Sequence, residues 1–118
     1  MRPAYPPSIA ADLCQKHGVV PQPPARWSKV GVALATLDLD PLNGVRHSPD
    51  GATCGWFIWG GAGFSEDPDF FQPLHIAHLV KRCPRALRFL SLPPGWRFLL
   101  GANDYEDVWH DDAVEVVK

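Results

Sequence analysis

Thirteen prolines and ten glycines are spread over 118 residues, and they decide where regular structure can form. Proline removes a backbone donor and restricts the residue before it, whereas glycine lets the chain turn. A fold rich in turns follows. Pro21, Pro23 and Pro24 keep residues 19–24 out of any helix and make them an extended linker. Gly60, Gly61 and Gly63 break the segment before them. Pro93, Pro94 and Gly95 make a hard turn.

Between these breaks the pattern of apolar residues assigns the elements. Ser8 can cap a short helix over 9–17 that stops at Gly18, with Ile9, Leu13 and Cys14 on its buried stripe. Residues 30–37 alternate as a strand does. Val30, Val32, Leu34 and Thr36 face one way, and the other face is nearly smooth, open to close approach by another backbone. Residues 38–51 carry Pro41, Asn43, Gly44, Pro49, Asp50 and Gly51 and read as a loop. Residues 53–60 are a second strand, dense in aromatics. A helix starts at about Pro73 and runs to about Arg82, burying Ile76, Leu79, Val80 and Cys83; His75, His78 and Arg82 share an adjoining arc. A turn or short helix over 85–90 leads to a hairpin of 96–100 with 105–110. The order α-β-β-α-β-β predicts a single small α+β domain with a mainly antiparallel sheet and two to three helices. Residues 1–26 are its N-terminal helix and linker, packed on a unit spanning 27–118.

A chain that is 46% hydrophobic and 20% charged is not a disordered one. The net charge of −2 removes any global argument for nucleic acid or an anionic membrane as partner. No run approaches the roughly 18 apolar residues of a membrane span, and the proline-rich start has no signal-peptide character, so a cytoplasmic location is expected. Cys14, Cys54 and Cys83 are odd in number and form no C-x-x-C pair, which fits reduced thiols better than a disulfide framework or a zinc site.

The charges are segregated. From Phe70 to Asn103 there are five basic residues and no acidic one, and from Asp104 onward six acidic residues face Lys118 alone. Glu66, Asp67 and Asp69 form a second acidic group. The two signs either neutralise each other in the fold or leave a patch for an oppositely charged partner, such as a nuclease cleft that otherwise takes phosphates. No set of residues has catalytic spacing. Asp38-x-Asp40 lies past a strand end without a matched acid or nucleophile, and His75-x-x-His78 lacks a third metal ligand, so no metal or cofactor is expected. Cys54 lies in an apolar strand, which suits an inert thiol more than a nucleophile paired with His47. The Gly60-Gly61-Ala62-Gly63 run lacks the phosphate-loop pattern. Trp56 and Trp59 are three apart on one strand and point to opposite faces; Trp59 and Trp109 fit either a core or an interface hot spot.

Three stretches carry a family resemblance: Pro41-Leu-Asn-Gly-Val-Arg-His47; Gly55-Trp-Phe-Ile-Trp59 with Asp67-Pro-Asp-Phe-Phe-Gln-Pro-Leu-His75; and Leu92-Pro-Pro-Gly-Trp-Arg-Phe98 with Tyr105-Glu-Asp-Val-Trp109. From about Val30 to Asp111 the chain resembles the bacterial immunity protein 33-like domains. That family was long described as a domain of unknown function and is often encoded beside polymorphic toxins or type VI secretion effectors. The resemblance implies an antitoxin that binds a cognate toxin or effector protein and blocks it by stoichiometric occlusion, with no catalytic residue to carry over. On that reading Asp67, Asp69, Glu106, Asp107 and Trp109 anchor the interface, with Trp59, Arg46, His47 and His75 as neighbours. Arg46, His47, His75, Glu106 and Asp107 have an alternative duty in holding the fold through buried hydrogen bonds. Two other functions compete: a small hydrolase or ligand-binding enzyme using Asp38, Asp40, His47 and His75, and a non-catalytic adaptor of a secretion apparatus. An exposed aromatic patch could equally serve a homodimer.

Overall fold

The structure is a computed structural model describing residues 13–63 and 69–114. Among the described residues six strands form one sheet: β1 (Lys29–Val32), β2 (Leu42–Arg46), β3 (Thr53–Gly60), β4 (Gln72–His75), β5 (Trp96–Leu100) and β6 (Glu106–His110). Their spatial order is β4-β1-β3-β2-β5-β6. β1 and β3 run parallel, and the other neighbours are antiparallel. Residues 13–16 are helical and are labelled α1, the expected Ser8 cap and Ile9 lying outside the described residues, and α2 is Ile76–Arg82. Short 3-10 helices occupy Leu34–Thr36 and Pro84–Phe89. The molecule is the expected small α+β domain with a mainly antiparallel sheet.

Two strands form where the sequence suggests a loop and a helix start. β2 contains Asn43 and Gly44, both poor strand formers. Asn43 compensates by donating its side-chain amide to the carbonyls of Pro41, Trp59 and Gly61 at 3.2, 3.4 and 3.0 Å, which ties the start of β2 to the end of β3. Gly44 leaves room for the ring of Phe98, which occupies the place of the missing Cβ. β4 contains Pro73 and delays α2 until Ile76. It lies at the end of the sheet, where proline is tolerated because one side of the strand has no ladder to supply. β1 is shorter than its alternation suggests. After Val32 the chain turns into the 3-10 helix, and the Thr36 hydroxyl accepts a hydrogen bond from Gly60 N–H at 3.0 Å. The smooth position Gly31 is covered by the ring of Phe57, not by another backbone.

One face of the sheet carries the main core. Val30, Val32, Leu42, Trp56, Ile58 and Phe98 pack against Leu13 and Cys14 of α1, Ile76 and Leu79 of α2, and Cys83, Ala86 and Phe89. Phe89 stacks on Phe98 with centroids 4.6 Å apart, and Trp56 Nε1 donates to the Leu90 carbonyl at 2.9 Å. Burying side chains of this size contributes about 2–3 kcal/mol each before entropy is subtracted. The expected α2 stripe is present, with Val80 half-buried. Cys14, Cys54 and Cys83 are free thiols, and burial raises the pKa of each.

Within this core sits a cation. Arg46 is 3% exposed. Its Nε donates to the Cys54 carbonyl at 3.0 Å, and Nη1 donates to the carbonyls of Gln22, Leu90 and Leu92 at 2.6, 3.2 and 2.8 Å. One side chain thereby joins the linker, β3 and the segment after the second 3-10 helix. Its guanidinium also lies 5.9 Å from the centroid of Trp56.

Candidate functional site

Alternation along β3 sends Trp56 and Ile58 to the helices, and Phe57 and Trp59 to the opposite face. Strand register extends that second face across the sheet. Gly31 pairs with Phe57, Phe57 with Val45, Val45 with Arg97, and Arg97 with Trp109. One step along, Trp59, Asn43, Leu99 and Asp107 form a parallel row.

An aromatic cap covers the β3 end of this face. Phe71 stands edge-on to Phe57 at 5.2 Å and to Trp59 at 6.0 Å, and Phe70 packs on Phe71 at 4.9 Å. His47 is edge-on to Phe57 at 5.5 Å. Trp59 is 7% exposed under this cap, together with Ala33 and Val45.

The cap gives way toward β5 and β6. There a groove of about 410 Å³ opens, lined by Val45, His47, Trp59, Arg97, Asp111 and Val114. The Arg97 guanidinium lies over the ring of Trp109, 5.4 Å from its centroid, and donates to Asp111 at 3.0 Å. Its Nε is buried and has no hydrogen-bond partner among the described residues. The Asp111 carboxylate accepts from Ala113 N–H at 2.9 Å, and that bond, with Arg97 second, lowers its pKa. The groove therefore joins an apolar floor to a fixed ion pair and an aromatic rim.

A second aromatic group sits at the far side, beside β4. Trp27 is 60% exposed and edge-on to His75 and His78 at 5.5 and 6.0 Å, with Arg26 5.4 Å from its ring centroid. The two imidazoles are 5.6 Å apart. Among the described residues no group of three or more His, Cys, Asp and Glu side chains is placed to hold a metal ion.

The residues singled out from the sequence fall into distinct places. Trp59, Asp107, Trp109 and His47 share the second face. Asp69 is exposed next to the Phe70–Phe71 cap. Glu106 belongs to the other face and pairs with Arg88. Arg46 is inside the core and His75 lies at the opposite edge. Asp67 lies outside the described residues. The four residues of the enzyme reading keep separate company: Asp40 pairs with Arg85 at 3.1 Å, His47 meets Phe57, His75 meets Trp27, and Asp38 is exposed. Arg97, Asp111, Phe70, Phe71 and Trp27 were not among the sequence candidates. The hairpin register, which sets Arg97 opposite Trp109, was the signal that could have found the first.

No helix among the described residues is long and apolar enough to cross a membrane. No curated protein and no solved structure matches the chain. One family model does: the Imm33-like domain, over residues 10–111. The match takes in α1 and the proline-rich linker, which the resemblance read from Val30 onward did not include. It covers nearly the whole sequence, and the chain belongs to the Imm33-like domain family.

Proposed function

We propose that this chain is an immunity protein that binds a cognate toxin one to one and occludes the surface the toxin needs. The observation that carries the reading is the family match over residues 10–111. The second sheet face supports it physically. An exposed carboxylate (Asp107), a tryptophan held by a cation (Trp109 on Arg97) and a groove floored by Val45 and Trp59 are the ingredients of an interface hot spot with a polar rim. Asp69 and His47 extend this rim, and Asp67 belongs to the same acidic group in the sequence. The side chains of Arg46, Glu106 and His75 lie off that face and have no direct part in it. We propose the cytoplasm as the place of action, a reading that three free cysteines support.

The test is calorimetry of the chain with the toxic domain encoded beside its gene. Wild type is expected to bind with a stoichiometry near one. Asp107→Lys is expected to weaken binding about tenfold or more while leaving the melting temperature unchanged, because Asp107 is exposed. Wild-type affinity in that variant removes the second face as the interface. Absence of binding by wild type removes the immunity reading for that toxin.

A further inference from the structure

The two ends of the sheet differ. β4 closes one end with four residues including Pro73, which has no N–H for a further strand. β6 closes the other end with five residues, no proline, and unbroken register with β5.

Two bonds flanking β6 set the phase of its backbone. Gly101 N–H donates to the Tyr105 carbonyl, and Asp111 N–H donates to the Gly95 carbonyl, both at 2.9 Å. Hydrogen-bonded and non-bonded pairs alternate along an antiparallel ladder. Asp107 and Trp109 therefore direct their backbone groups toward β5, whereas Glu106, Val108 and His110 direct theirs outward. Among the described residues no backbone bond joins these three to a further segment.

An open edge invites pairing unless charge or cover prevents it. Here the charge has one sign. Asp104, Glu106, Asp107, Asp111 and Asp112 all lie between positions 104 and 112. Arg88 answers Glu106 and Arg97 answers Asp111, whereas Asp104 and Asp107 have no ion-pair partner among the described residues. A second copy of this chain brings the same acidic edge and is repelled. A strand carrying lysine or arginine is attracted, and Tyr105, 56% exposed, adds an aromatic surface at the hairpin end.

We propose that β6 accepts an extended basic segment of the toxin as a seventh strand, hydrogen-bonded to Glu106, Val108 and His110. This rests on the immunity reading and names the contact it uses.

Amide hydrogen exchange on the wild-type complex with the neighbouring toxic domain tests it. Exchange at Glu106, Val108 and His110 is expected to slow about tenfold or more on binding. Val108→Pro removes an outward N–H that the fold itself does not use. It is expected to keep a cooperative melt and to weaken binding about tenfold or more. Should that variant not fold, Asp104→Lys, exposed beside the edge and outside the groove, is expected to weaken binding, and unchanged affinity contradicts the basic partner. A complex that forms one to one while these three amides exchange at their free rate overturns the strand-addition proposal and leaves the immunity reading standing. Protection of the same amides in the chain alone, rising with its concentration, puts a second copy on the edge and overturns the basic partner. A wild type that neither binds nor protects growth overturns both.

Discussion

Arg46 shows what a single residue is doing here. A guanidinium that loses its water needs acceptors, and it finds them in carbonyls from three parts of the chain. Arg46→Ala leaves those carbonyls buried and opens a cavity beside Trp56. It is expected to cost about 3 kcal/mol or more in urea unfolding, and a loss below about 1 kcal/mol contradicts the role. The sequence pointed to Arg46 through a motif but left open whether it serves the interface or the fold. The structure buries its side chain in the core, a parity the sequence hides because residues 38–51 read there as a loop. Asp111 supplies a test in pH. Its folded pKa is lowered by the Ala113 N–H and then by Arg97, so its contribution is present above the ordinary carboxylate range and is lost as pH falls through the folded value. Asp111→Asn is expected to melt below wild type at pH 7 and to converge with it only once pH has fallen below the ordinary carboxylate range. A gap that persists in acid contradicts the linkage.

At the scale of elements, the strands that matched expectation are those whose apolar pattern speaks for itself. β3 and the β5–β6 hairpin alternate clearly, and α2 has its buried stripe. β2 and β4 were illegible because their residues are locally wrong for strands and are held by partners distant in sequence. Gly44 in β2 is read as turn chemistry, yet its use is to let the Phe98 ring lie against the strand. Gly44→Ala places a Cβ inside that ring, and the buried Phe98 has little room to retreat. The expected loss is about 1–3 kcal/mol by thermal or chemical unfolding; a neutral outcome contradicts this packing. Pro73 in β4 reads as a helix start, and only a position at the end of the sheet makes it a strand residue. The same logic separates the two edges: proline blunts one, and carboxylates guard the other.

For the whole molecule, mutual neutralisation accounts for part of the segregated charge. The basic stretch meets acidic partners through Arg85–Asp40, Arg88–Glu106 and Arg97–Asp111. These pairs are partly exposed and add little stability. They leave the outer side of β6 acidic. The candidate site was legible in its residue types, through Trp59, Asp107, Trp109 and His47. Its assembly was not, since the groove depends on the register between β2 and β5 and on a cap contributed by Phe70 and Phe71. The N-terminal segment is bound into the fold by Leu13 and Cys14 in the core and by Gln22 on Arg46. A chain shortened to residues 27–118 is expected to melt well below the full chain by calorimetry; equal melting temperatures would make 1–26 dispensable. Immunity itself is read from growth under co-expression. The toxic domain encoded beside this gene is induced with and without the chain. Restored growth, together with a one-to-one complex recovered from the same cells, is the predicted result. Unchanged toxicity with the chain folded and abundant would contradict it.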